Sequence, residues 1–471
     1  MSRVDISALP PERYSAVLGP TYVDAFNEAL RVARDLFAGR TIWNINSTAH
    51  GGGVAEMLRS LLAYALGAGV DARWAVITGE PAFFDITKRI HNNLHNFAGD
   101  GGPLGEAERA AYEAALAPNA EELKQMIRPK DVVLLHDPQT AGLIPAIKAL
   151  GVPVIWRCHV GIDYPGEYAR RAWDFLRPYV RQSDMHVFSR QSFVWEDLEP
   201  EKIQIVMPSI DPFSPKNRDM EPAHARAILH AIGVVRDGGG GQPIYARQDG
   251  SMAAVEHDAK VFEDEPARED DLLVVQVSRW DALKDPLGVI SGFAQHVAPH
   301  GDYHLVYAGP AVEAVSDDPE GAEVLRSAIA LRESLEPAAR RRIHLACLPM
   351  VDGEENAAMV NALQRRAHVV VQKSLAEGFG LTVAEAMWKG RPVVASRIGG
   401  IQDQIEHDRT GILLDDPRDL ECYGAAVLTL LRDAPRADAM GEAALERVRD
   451  EFLGGRSLVN YADLIRELIS S

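Results

Sequence analysis

Cysteine is scarce in this chain. Cys158, Cys347 and Cys422 are the three in 471 residues, too few and too scattered for a disulfide framework or a zinc cluster, so a reduced, cytoplasmic setting is expected. Long apolar runs are missing too. No stretch approaches the roughly 20 residues of a membrane span, and Met1-Ser-Arg-Val-Asp-Ile6 lacks the charged-then-apolar layout of a signal peptide. No membrane partner is expected. Basic residues are outnumbered, with 49 Lys and Arg against 68 Asp and Glu and a net charge of −19. That balance excludes a general nucleic-acid binder, which needs a basic surface to displace counterions. The common nucleotide fingerprints are also absent. Gly51-Gly-Gly53 is followed by Glu56, where the third glycine of Gly-x-Gly-x-x-Gly would stand. There is no Gly-Lys-Ser/Thr of a P-loop and no Asp-x-Asp pair to hold a divalent metal. Hydride transfer and nucleoside-triphosphate hydrolysis lose support.

What is present reads as a parallel α/β protein. Short β-type apolar runs alternate with helical segments. In the first half the expected strands are 41–46, 73–77, 132–135, 154–157, 186–188 and 203–207; in the second they are 272–277, 304–308, 343–346, 369–371, 393–395 and 412–414. Two doubly wound halves follow. The first domain is expected over 1–213, ending in the turn-rich Pro208-Ser-Ile-Asp-Pro212, and the second over 214–454. Within the second, Gly238-Gly-Gly-Gly241 and the polar stretch to Asp271 read as an insertion or long loop over about 237–271. A terminal helix over 455–471 has Leu458, Tyr461, Leu464, Ile465 and Leu468 at helical spacing.

Open α/β sheets bind ligands beyond the carboxyl ends of their strands, so the residues after each strand matter most. After the first-half strands stand Gly51, Gly52 and Gly53, His136-Asp137 and Cys158-His159. After the second-half strands stand Arg279, Lys284 and the run Glu377-Gly378-Phe379-Gly380, with Glu385 in the helix beyond. Two polar rims imply a cleft between two domains. The glycines let backbone approach a ligand, and backbone N–H groups at a helix start favour an anion. Arg279 and Lys284 can neutralise a leaving diphosphate. Each signal has a plainer reading: the triple glycine as a tight turn, the two cations as solvated surface, His159 as a structural histidine, and Thr382-Val-Ala-Glu385 as a capping box.

The run Ser374-Leu-Ala-Glu-Gly-Phe-Gly380 to Glu385-Ala-Met387 resembles the Glu-x7-Glu signature of retaining glycosyltransferases of family four. The resemblance extends from about Asn44 to the terminal helix and lies closest to the trehalose-forming branch. It includes Asn46-Ser-Thr-Ala-His-Gly-Gly-Gly-Val-Ala-Glu-Met57, Phe83-Phe-Asp-Ile-Thr-Lys88 with His91-Asn92, His136-Asp-Pro-Gln139 and Trp156-Arg-Cys-His159. The resemblance implies the GT-B fold, two Rossmann-like domains facing across a cleft, with a nucleotide-diphosphate glucose donor, a sugar acceptor and no required metal or cofactor. By the same resemblance Glu377 meets the donor sugar hydroxyls, Glu385 the ribose, Arg279 and Lys284 the diphosphate, and His159 the transferred sugar; Asp137 is placed on the acceptor side. Retaining trehalose phosphorylases share much of the pattern, so synthase and phosphorylase both stay open. A sugar-nucleotide epimerase or hydrolase, a non-catalytic sugar-binding protein and a homodimer stay open as well.

Overall fold

The computed structural model describes residues 1–49, 52–236, 241–312 and 319–470. Two compact units emerge, one of Met1–Ser209 with Phe452–Ser471 and one of Ile210–Glu451. The terminal helix Gly454–Ser470 therefore belongs with the first unit.

The first unit is built on a seven-stranded sheet. Its strands are β1 (Ser2–Val4), β2 (Thr41–Asn46), β3 (Asp71–Val76), β4 (Val132–His136), β5 (Val154–Cys158), β6 (Met185–Phe188) and β7 (Ile203–Ile205). They lie in the order β1-β3-β2-β4-β5-β6-β7, parallel except for β1. The chain winds outward from β2 to β3, then returns to β4 on the other side. The order therefore reverses at the β2/β4 junction, the place where such sheets open a crevice.

Side-chain alternation covers both faces. Trp43, Ile45, Val133, Leu135, Val154 and Trp156 point into one core, while Ile42, Val132, Leu134 and Ile155 point into another. Tyr461, Leu464 and Ile465 of the terminal helix complete that second core beside Phe37. Full burial of each such side chain contributes about 1.5–3 kcal/mol, which is why this helix returns to the first sheet.

The second unit repeats the plan. Its main strands are β13 (Leu272–Val277), β14 (Tyr303–Pro310), β15 (Ile343–Leu348), β16 (Val369–Gln372), β17 (Val393–Ser396) and β18 (Ile412–Leu414). All are parallel, in the order β15-β14-β13-β16-β17-β18, with β11 (Lys260–Phe262) added antiparallel beside β15. This is the Rossmann order, and its reversal lies between β13 and β16.

Every strand expected from the apolar runs is present, displaced by at most two residues at an end. The described part of the 237–271 stretch departs from the long loop expected. It carries β9 (Ile244–Ala246) paired with β10 (Met252–Ala254), the edge strand β11, and β12 (Ala267–Arg268) alongside β8 (Val235–Arg236). Side-chain contacts fix it: Arg247 pairs with Asp352 (2.7 Å) and Glu354 (3.0 Å), and His257 Nδ1 lies 2.7 Å from Glu355 Oε2. Charge-rich composition here signals anchoring of short strands, which periodicity cannot detect. Residues 238–240 of the glycine run lie outside the described residues. Among the described residues no helix is long and apolar enough to cross a membrane.

Candidate active site

Two loops of the second unit meet where the strand order reverses. One follows β13 and carries Arg279 to Asp285; the other follows β16 and carries Lys373 to Gly380. The Leu375 N–H donates to the Leu283 carbonyl at 2.7 Å, joining them through the backbone. Lys284 Nζ then pairs with Glu377 Oε2, and Ser374 Oγ donates to the same oxygen at 3.4 Å. Behind this pair a second one crosses in the opposite sense. Lys373 Nζ, fully buried, pairs with Asp285 and donates to the Pro417 carbonyl at 2.6 Å. Asp285 sits at a left-handed φ of 51° and caps the helix Pro286–His296 through the Gly288 N–H at 3.0 Å. Buried Gln276 adds donations to Ser278 Oγ (3.2 Å) and the Lys284 carbonyl (2.9 Å). Arg279 is about half exposed and held by Asp281 at 2.8 Å.

The loop from Glu377 to Gly380 is pinned by glycines. Gly380 has φ 83° and forms the N-cap of the helix Leu381–Trp388. Gly399 has φ 45°, and a Cβ there would lie 1.9 Å from the Glu377 carbonyl oxygen. The Gly400 N–H donates to the Gly378 carbonyl at 2.9 Å, and Gln404 Nε2 donates to the Phe379 carbonyl at 2.5 Å. With those carbonyls drawn inward, the loop has one backbone arrangement.

Glu385 does not cap the helix. The N-cap is Gly380, two residues before Thr382, and Thr382 Oγ1 instead donates to Gln372 Oε1 at 3.0 Å. The capping box is thereby excluded. Glu385 is buried, with Oε1 3.7 Å from Lys216 Nζ and Oε2 without a hydrogen-bond partner. An unsatisfied carboxylate oxygen inside a protein costs free energy, and such a group calls for a ligand hydroxyl. One turn on, buried Lys389 donates to Gln364 Oε1 (2.7 Å), Asn217 Oδ1 (3.1 Å) and the Glu385 carbonyl (3.0 Å). Burial presses this ammonium below its usual range, with the Glu385 charge opposing.

The first unit gathers a smaller cluster beyond β4 and β5. His136 Nε2 lies 3.0 Å from Asn44 Oδ1, which joins β4 to β2 at the reversal. Asp137 has φ 64°, and its Oδ1 accepts from the His159 N–H at 2.7 Å. His159 Nδ1 lies 3.1 Å from Asp137 Oδ2, and Arg157 Nε donates to His159 Nε2 at 3.2 Å. Both ring nitrogens of His159 are thus engaged, which makes it a fixed wall and not a proton shuttle. Burial holds His159 below the ordinary imidazole range against the pull of Asp137. Burial alone would raise Asp137, but the charge and hydrogen bonds of His159 outweigh it and keep the carboxyl low. Gly52 and Gly53 begin the helix Gly53–Gly67, Gly52 at φ 80° as its N-cap. Gly51 lies outside the described residues.

The structure therefore brings Arg279, Lys284, Glu377, Gly378, Phe379, Gly380 and Glu385 to one edge of the second sheet, and Asp137 and His159 together in the first unit. Sequence reasoning missed Lys373, Asp285, Lys216, Lys389 and Gln404. Lys373 and Lys389 are visible at the two ends of the 373–390 run, but their partners lie far off in the chain.

The family pattern described as trehalose synthase, N-terminal domain, matches residues 44–195, and that described as glycosyl transferases group 1 matches residues 258–447. A trehalose synthase of Thermococcus litoralis is 33% identical over 454 residues, covering 96% of each chain. A trehalose phosphorylase of Pleurotus pulmonarius is 27% identical over 465 residues, covering 93% of this chain and 58% of its own. Among solved structures, an alpha,alpha-trehalose-phosphate synthase (UDP-forming) from Burkholderia vietnamiensis is similar with a TM-score of 0.65 at 17% identity, covering 92% of this chain and 99% of that one. Two Rossmann-like units on parallel sheets, with this likeness, define the GT-B fold of glycosyltransferases. Within that class the chain belongs to the trehalose synthase family.

Two outcomes test the site's construction. Lys373→Met leaves Asp285 without its buried partner and should cost about 3–5 kcal/mol in urea unfolding, with part regained in Lys373→Met/Asp285→Asn; a loss below about 1 kcal/mol would show that the pair does not hold the loops. The second concerns pH. Burial pushes His136 down to about 3 and His186 and His368 down to about 4. Between about pH 4 and 6.5 the unfolded chain takes up protons on these rings that the native chain refuses. Stability should therefore fall as pH drops through that window, by about 1.4 kcal/mol per unit and per ring. His186→Gln should flatten the slope by one ring's share, and a pH-independent unfolding midpoint would contradict this.

Proposed function

We propose that this protein is a retaining glucosyltransferase that moves glucose from a nucleotide-diphosphate glucose to glucose, forming trehalose. The observation that carries the reading is the charge arrangement at the β13/β16 reversal. Lys284 is pinned to Glu377 beside Arg279, and Glu385, in the helix that follows the Glu377 loop, offers a buried, unpartnered oxygen. The donor diphosphate lies against Arg279, Lys284 and the 378–380 backbone. Glu385 accepts from the ribose hydroxyls, and Glu377 orients those of the sugar. In the first unit Asp137 and His159 form a rigid polar wall on the sugar and acceptor side.

In the reaction the bond from the anomeric carbon to the diphosphate oxygen breaks. The acceptor hydroxyl oxygen forms the new bond on the same face, and its proton passes to the leaving phosphate. Charge grows on that phosphate as the bond breaks, so Arg279 and Lys284 bind the transition state more strongly than the ground state. Glu377 is assigned to the sugar hydroxyls, and no carboxylate is assigned to the anomeric face opposite the leaving group, where a covalent glycosyl intermediate would need one.

The likeness to a trehalose phosphorylase favours one second reading, in which inorganic phosphate takes the diphosphate's place. Against it stands the length match: the chain spans 96% of the synthase and 58% of the phosphorylase. Incubation with nucleotide-diphosphate glucoses and glucose should yield trehalose. Trehalose and phosphate should yield no glucose 1-phosphate, and the reverse pattern would select the phosphorylase.

Arg279→Ala and Lys284→Ala should each lower turnover by about a hundredfold, on the order of 3 kcal/mol in the barrier. Because Lys284 and Glu377 act as a pair, Lys284→Ala combined with Glu377→Gln should cost less than the sum of the two; full additivity would separate them. Glu385→Gln should weaken donor binding more than turnover and leave the melting temperature nearly unchanged, whereas Glu377→Gln should depress turnover more than binding. Equal, small effects from both would remove the two glutamates from the site.

A further inference from the structure

At the opposite edge of the second sheet, where β13 and β14 begin, five side chains form a chain of polar contacts that the transferase reading does not use. Glu263 Oε2 lies 2.6 Å from His344 Nδ1, and His344 Nε2 lies 2.9 Å from His304 Nδ1. The two rings are inclined by only 18°. His344 is fully buried and Glu263 nearly so.

With Glu263 ionised and both rings neutral, His344 carries its proton on Nδ1 toward Glu263 and presents a lone pair at Nε2. His304 must then carry its proton on Nδ1 to donate, which leaves a lone pair on His304 Nε2. That lone pair faces Asp271 Oδ2 at 3.5 Å and Asp302 Oδ1 at 3.9 Å. In that state three ligand atoms converge, all within 4.8 Å of one another. A carboxylate holding a histidine ring so that its far nitrogen is bare is how proteins orient a metal-binding imidazole.

We propose that Asp271, Asp302 and His304 bind a divalent first-row cation, with Zn2+ as the best fit to one imidazole and two carboxylates. Tetrahedral ligands at about 2.0–2.2 Å from zinc stand about 3.4 Å apart, so the gaps of 3.5 and 3.9 Å close with small side-chain movement. Asp271 is oriented by the Arg268 N–H, which donates to its Oδ2 at 2.6 Å. Arg342 Nε lies 3.4 Å from Asp302 Oδ1 and competes for that oxygen. Asp302 is 78% exposed and His304 14%, so the cation enters from solvent and keeps water on its open side. The site clamps the starts of β13 and β14 and, through Glu263 and His344, the edge strand β11. Its place at the amino ends of the strands separates it from the transferase chemistry.

The test is isothermal titration of Zn2+ into the metal-free full chain carrying Cys422→Ser, which removes the exposed thiol. One equivalent should bind saturably and raise the melting temperature. Asp302→Asn should abolish that uptake while leaving the metal-free melting temperature near the parent's. Glu263→Gln, which touches no metal, should weaken binding by roughly tenfold to a hundredfold. Absence of saturable uptake at millimolar Zn2+, or unchanged uptake in both Asp302→Asn and His304→Gln, would overturn the site.

Discussion

Two ion pairs crossing between the same two loops set the geometry of the second unit's ligand edge. Lys284 and Asp285 are neighbours on the loop after β13; Lys373 and Glu377 are four apart on the loop after β16. Lys284 reaches Glu377 on the ligand side, and Lys373 reaches Asp285 within the fold. The two pairs, with a backbone hydrogen bond from Leu375 to Leu283, tie the loops at three points. The buried member gains most from this, since an ammonium with no exposure cannot exchange its partner for water. The Lys284–Glu377 pair is only partly buried, so water reaches it where it cannot reach Lys373.

The same loops show two ways of holding a lysine inside a protein. Lys373 is answered by a carboxylate. Lys389 is answered by three neutral oxygens, with the Glu385 charge nearby. The second arrangement keeps positive charge next to Glu385 without taking its oxygens, and Lys216 at 3.7 Å approaches only Oε1. Oε2 is left without a hydrogen-bond partner. A helix-capping role would have spent the carboxylate on backbone, and the position of Gly380 as N-cap prevents it.

Much of the fold was legible because a parallel sheet buried on both faces writes its strands as short apolar runs, and each such run became a strand. The candidate residues at the carboxyl edge of each sheet could be placed for the same reason, since polar residues directly after a run fall there. Partnerships were not. Lys284 to Glu377, Lys373 to Asp285 and Lys216 to Glu385 join residues from distant parts of the chain, and no local spacing encodes them. The short strands of residues 244–268 were missed because two or three residues show no period. The capping-box spacing at Thr382 was satisfied in sequence, but a left-handed glycine two residues earlier started the helix first.

The first unit reaches rigidity differently, through a strained aspartate. Asp137 holds a left-handed φ of 64° immediately after β4, a conformation that costs a non-glycine residue of order 1–3 kcal/mol. The return is in hydrogen bonds: this backbone turn lets one carboxylate take both the backbone N–H and the ring of His159. Arg157 closes the other side of the ring. His159 is thereby held in one orientation with both ring nitrogens engaged. Such fixity removes an ordering cost, because each mobile donor or acceptor would have to be ordered at the moment any ligand bound.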